Sequence, residues 1–107
     1  MKTVTMLAAA GLLAFAGSAA AQEADVEAGE AYAEHVCAGC HAVLANEEFS
    51  RLSEAPTFQA VADTPGMTEL ALTVWLQSSH PTMPNVILTQ DEMRNVVAYI
   101  RSLKSKD

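Results

Sequence analysis

A chain of 107 residues has room for one domain. With 13 acidic against six basic side chains it repels nucleic acid and anionic lipid, so neither is an expected partner. Its two cysteines, Cys37 and Cys40, stand too close together for a disulfide that closes a useful loop.

The first stretch reads as an export segment outside the folded domain. Lys2 gives a positive start, and Val4 to Ala16 is apolar apart from Thr5 and interrupted by Gly11. Small residues follow through Ala19, Ala20 and Ala21, the layout of a secretory signal peptide with cleavage after Ala21. A membrane anchor is the rival reading. A spanning helix needs about 20 apolar residues, however, and this run is shorter and broken. Residues 1–21 are therefore expected to be a signal peptide and 22–107 the domain, with no stable membrane insertion after cleavage and the periplasm as destination.

The 86 residues left lie near the lower limit for a self-supporting core, so a staple is expected. The cysteines supply no such crosslink, and something else must complete the core. With Lys2 gone, five basic residues against 13 acidic ones leave a formal charge of −8. Glu23, Asp25, Glu27, Glu30 and Glu34 crowd the start, and Arg101, Lys104 and Lys106 the end. These are solvated helix faces, or a dipole that turns the molecule toward a partner.

The remaining chain reads as helices and loops without strand alternation. Asp25 is a good N-cap for a first helix through Ala28, Tyr32 and Ala33 to about Val36. Ala42 to Pro56 is mostly loop, and Thr57 to Ala62 has room for one or two turns. Thr64-Pro65-Gly66 punctuates the chain before a helix over 68–77 that carries Leu72, Trp75 and Leu76 on one apolar stripe. His80, Pro81 and Pro84 then stop the helix and leave Met83 in a rigid loop. Thr89 and Glu92 form a capping-box pattern ahead of a last helix with Val96, Tyr99, Ile100 and Leu103 at helical spacing.

Cys37-Ala38-Gly39-Cys40-His41 is the sequence form of c-type haem attachment. Thiols one helical turn apart can each add to one vinyl group along a macrocycle edge, and the imidazole that follows can reach the iron. A zinc site would need two further ligands at suitable spacing, and there is no second cysteine pair. A thioredoxin-like redox pair would need a βαβ setting that this helical pattern does not offer.

On these residues the chain resembles the class I c-type cytochromes, the small bacterial monohaem kind, from Gly29 to Leu103. The family's first helix carries a glycine eight residues before the first haem cysteine, matched by Gly29. The aromatic often found four residues later is Ala33 here, with Tyr32 beside it. The last helix crosses the first at that glycine through an apolar residue and an aromatic, matched by Val96 and Tyr99. The resemblance implies an all-α cytochrome c fold, with three main helices plus loops wrapped around one covalently bound haem c.

His41 is then an axial iron ligand, and Met67, Met83, Met93, His35 and His80 are candidates for the other side. The family's ligand methionine occupies a loop before the final helix, which Pro81-Thr82-Met83-Pro84-Asn85 matches, 42 residues after His41. His80 is the runner-up, because imidazole also binds iron well. The expected haem-binding residues are Cys37, Cys40, His41 and Met83, with His41 and Met83 on the metal. The resemblance also assigns the Pro56 carbonyl to orienting His41, Phe58 to packing on the haem edge, and Trp75 to the neighbourhood of Met83. Arg51 is either a propionate partner or a solvated loop residue.

His/Met ligation raises the reduction potential and closes the iron to substrates. The expected function is a periplasmic electron carrier, not an enzyme, that docks redox protein partners as a monomer or in a transient complex. Its expected contact surface is an apolar ring of Val36, Ala38, Ala42 and Val43. Two alternatives stand beside it: an electron-acceptor subunit of a periplasmic dehydrogenase, and a gas sensor or peroxidase with an open axial site.

Overall fold

A computed structural model describes residues 2–6, 8–11 and 23–106. The end of the apolar run and the expected cleavage site, at 12–22, lie outside the described residues. Among the described residues no helix is long and apolar enough to cross a membrane.

The folded part is all-α. Helices α1 (Val26–Tyr32), α2 (Phe58–Asp63), α3 (Glu69–Gln77) and α4 (Gln90–Ser102) follow one another, and α1 runs directly into a π-helical segment, Ala33–Cys37. Among the described residues the only bridge of strand type is the isolated pair His80 and Met83.

Each α-helix starts at a side chain that satisfies a free amide. Asp25 accepts from the Ala28 N–H, Thr57 from Ala60 and Thr68 from Ala71. Thr89 and Glu92 close the full reciprocal capping box. Such a cap contributes roughly 1 kcal/mol. Thr57 and the buried pair Phe58 and Ala62, four apart on one face, explain why this stretch becomes a six-residue helix, α2, rather than a bare turn.

The first helix does continue past Val36, but it widens. The Ala38 amide donates five residues back, to the Ala33 carbonyl, at 3.0 Å. A π turn holds one residue more than an α turn. Ala33 stays fully buried against the core while Tyr32, Val36 and Cys37 turn to a cavity.

The core is centred on the crossing of α1 with α4. Val96, Val97, Tyr99 and Ile100 of α4 are buried there with Ala33, and α2 adds Phe58 and Ala62 while α3 adds Leu72. Gly29 makes the crossing possible: a Cβ on it would stand 2.0 Å from the Asn95 carbonyl oxygen and 2.9 Å from the Tyr99 Cβ. Tyr99 thus meets Gly29 as expected of it, while Val96 lies buried in the core that the crossing forms. The Tyr99 hydroxyl donates to the Val43 carbonyl at 2.6 Å and anchors the loop that leaves the cysteine motif. Gln59 Nε2 donates to the Leu103 carbonyl at 2.6 Å, and the Ser105 amide donates to Asp63 at 2.7 Å, so α2 is tied to the end of α4.

Candidate cofactor site

Between the helices and the 78–88 loop lies a cavity of about 450 Å³. This is within the size range of cofactor pockets. Its wall is mostly apolar: Tyr32 and Val36 from the first helix, Phe58 and Val61 from α2, Leu72 and Leu76 from α3, and Val96 and Ile100 from α4. The lining residues with sulfur or imidazole side chains are Cys37, Cys40, Met67, Met83, His41 and His80.

The cysteine motif is coiled by its own backbone. The amides of Cys40 and His41 both donate to the Cys37 carbonyl, at 3.2 and 3.0 Å, which turns all three side chains onto the cavity wall. Burial pushes the Cys37 thiol up to about 11, the opposite of the lowered value that a redox-active thiolate requires. The helical element order also lacks the βαβ setting of a thioredoxin-like redox pair.

His41 is oriented from behind. Its Nδ1 lies 2.7 Å from the Pro56 carbonyl oxygen, an acceptor only, so Nδ1 carries the proton and Nε2 keeps its lone pair. The Pro56 carbonyl occupies the orienting position expected for it. The Phe58 ring sits 5.4 Å from the imidazole centroid, tilted by 50°, and its amide donates to the Ala42 carbonyl at 2.8 Å. Two more bonds seat this loop: the Ala42 amide donates to Ser50 Oγ at 2.9 Å, and the Leu52 amide to the Cys40 carbonyl at 3.1 Å.

The five candidates for the second axial position separate cleanly. Met93 is buried in the helix core and His35 is exposed on the π segment, and neither lines the cavity. Met67, Met83 and His80 do line it. Met83 and His80 are brought together by the turn His80-Pro81-Thr82-Met83, in which the Met83 amide donates to the His80 carbonyl at 3.4 Å. Thr82 takes φ +71°, a left-handed conformation that costs a branched residue about 1–2 kcal/mol. Trp75 is half-exposed rather than part of a buried stripe, lines the cavity, and meets the His80 ring edge-on at 5.5 Å. Arg51 is exposed and lines no part of the cavity.

One expectation is overturned. Ala42 and Val43 do not belong to an exposed apolar ring: they are 5% and 3% exposed. The physical reason is the Val43 carbonyl, which must reach the Tyr99 hydroxyl deep in the core and draws its side chain inward. Val36 stays exposed and Ala38 partly so, and Leu52, which sequence reasoning passed over, is exposed next to Cys40. Its one signal was a leucine flanked by the polar residues Arg51 and Ser53.

A helical shell around an apolar cavity, with two thiols and an oriented imidazole on its wall, defines a c-type haem protein. The chain belongs to the cytochrome c family: residues 26–104 match the family model described as Cytochrome c. It is similar to cytochrome c-552 of Bradyrhizobium diazoefficiens, with 36% identity over 87 residues that cover 81% of this chain and 83% of that protein. No solved structure gives a significant match. Members of this family are typically electron carriers; they bind haem c covalently and pass electrons to redox partners. Haem c is accordingly the cofactor, and the donor set fits it. The apolar wall suits the macrocycle, the cysteine spacing suits its two vinyl groups, and nitrogen and thioether sulfur suit iron.

Proposed function

We propose that this protein is a periplasmic one-electron carrier in which Cys37 and Cys40 hold the haem by thioethers and His41 and Met83 bind the iron from its two sides. The observation that carries the reading is the convergence of the cysteine motif, a carbonyl-oriented His41 and Met83 on one apolar cavity. Residues 1–21 act as the export signal and are removed, leaving 22–107.

The haem supplies reversible exchange between ferrous and ferric iron. The chain supplies the conditions. The Pro56 carbonyl holds the Nδ1 edge of His41 and so leaves Nε2 to serve as the ligand. Phe58, Val96 and Ile100 exclude water from the iron's surroundings, and a dry site with a thioether ligand favours the ferrous state. With both sides of the iron filled, no substrate reaches it, and the protein transfers electrons without catalysing a reaction of its own. Electrons enter and leave where the cysteine motif meets the surface, and Val36, Ala38 and Leu52 make the docking patch there. So small an apolar area suits brief encounters with a donor enzyme, an oxidase or a membrane complex.

Exported, matured protein tests this directly. Its pigment is expected to stay with the polypeptide in acidified organic solvent, and the ferric form to show the charge-transfer band of a thioether–iron bond. Extraction of the pigment, or absence of that band, would remove the thioethers or Met83 from the assignment. Charging the patch with Leu52→Glu should slow reduction by membranes of the source organism and leave reduction by ascorbate unchanged. Equal slowing of both would place the patch elsewhere.

A further inference from the structure

Two histidines reach the cavity, and both are tied in the same way. His41 Nδ1 lies 2.7 Å from the Pro56 carbonyl and His80 Nδ1 lies 3.0 Å from the Ser78 carbonyl. A carbonyl oxygen only accepts, so in each neutral ring Nδ1 carries the proton and Nε2 keeps a bare lone pair. An imidazole binds a metal in this form, with its second nitrogen steadied by a backbone oxygen. Trp75, edge-on to His80 at 5.5 Å, steadies that ring further.

His80 Nε2 lies 2.8 Å from the Met83 sulfur. The two groups therefore stand side by side on the cavity wall, and each is of a kind that binds iron. The backbone is bent to achieve this. Thr64-Pro65-Gly66-Met67 and His80-Pro81-Thr82-Met83 close the same kind of turn, the methionine amide donating to the first carbonyl at 3.2 and 3.4 Å. The third residue has φ +78° at Gly66 and +71° at Thr82. Glycine adopts that conformation freely and threonine does not. The chain thus keeps a strained turn at the one place where His80 and Met83 emerge side by side.

We propose that His80 is a reserve axial ligand, which takes the iron when the Met83 sulfur leaves it. The proposal rests on the reading of Met83 as the resident ligand. In the exchange the iron–sulfur bond breaks and an iron–nitrogen bond to His80 Nε2 forms. No electron moves, and the ring proton stays on Nδ1. Imidazole lacks the thioether's preference for ferrous iron, so the exchange lowers the reduction potential while the site stays closed to small molecules.

The test uses exported, haem-loaded protein carrying Met83→Leu, which deletes the sulfur donor at little change in volume. It is compared with the double variant Met83→Leu/His80→Ala. Met83→Ala, alone and with His80→Ala, repeats the comparison if the leucine protein does not fold. The single variant should lose the thioether band yet give a low-spin ferric electron paramagnetic resonance spectrum of the bis-imidazole type, with ferrous protein that takes up carbon monoxide slowly. The double variant should lose that low-spin signal, bind carbon monoxide rapidly, and regain the low-spin signal on addition of free imidazole. A high-spin single variant overturns the reserve role, as does a double variant that remains low-spin. If wild-type protein shows the thioether band in either case, the resident assignment of Met83 survives. Wild-type protein without that band overturns both.

Discussion

Gly29→Ala is the sharpest test of the helix crossing on which the site is built. The added Cβ would lie 2.0 Å from the Asn95 carbonyl oxygen and 2.5 Å from its carbonyl carbon, whereas ordinary contact begins at 3.4 Å. The difference, about 1.4 Å, must come from separating α1 and α4, because the obstacle is main chain and no rotamer change relieves it. Overpacking of a tight core costs roughly 1–3 kcal/mol, and a backbone clash belongs at the upper end. Replacing a helical glycine by alanine returns about 1 kcal/mol, which leaves a net loss of about 2 kcal/mol. For a domain of this size each kcal/mol shifts Tm by roughly 4–8 °C, so a fall of about 8–16 °C is expected. The assay is thermal unfolding of the haem-loaded variant followed by circular dichroism. An unchanged or raised Tm would show that the two helices do not depend on their close approach at Gly29.

Two further substitutions probe the ties around the site. Tyr99→Phe removes the donor to the Val43 carbonyl and leaves that oxygen unsatisfied, at a cost of about 1–3 kcal/mol measurable by urea unfolding. Burial, then Glu30, Glu34 and Glu47, hold the Tyr99 phenol above its ordinary value, so its contribution is complete below about pH 10 and is lost as pH rises through the raised value. The phenylalanine variant should therefore lack the wild-type's steeper alkaline decline in stability. Asp63 is held below the usual carboxylate range, first by the Ser105 backbone N–H and then by the Gln59 side chain. Its contribution is present above about pH 4 and disappears as pH falls toward the lowered value, so Asp63→Asn should flatten the dependence of Tm on pH below that point. An equally steep acid decline in both proteins would sever the link between Asp63 and the end of α4.

Much of this protein is written locally. Asp25, Thr57, Thr68 and Thr89 each cap a helix through an amide only three residues ahead, so short sequence windows contain the whole interaction. The cysteine motif is likewise local, with spacing that is itself the chemistry and the Cys40 and His41 amides bonded to the Cys37 carbonyl. Gly29, Val96 and Tyr99 were legible for another reason: they match a known family's pattern, and steric need explains why glycine stands at the crossing.

What only the tertiary structure decided depends on partners far along the chain. The burial of Ala42 and Val43 follows from a hydrogen bond to Tyr99, 56 residues away, which no local pattern announces. The widening of the first helix into a π turn depends on Ala33 being held by the core while Cys37 faces the cavity. The meeting of His80 with Met83 required a positive φ at Thr82, a conformation that threonine does not advertise. Residue type and spacing therefore determined which chemical groups are present and how each helix begins. Packing determined which groups face one another, because contacts between distant segments set side-chain direction and backbone strain together.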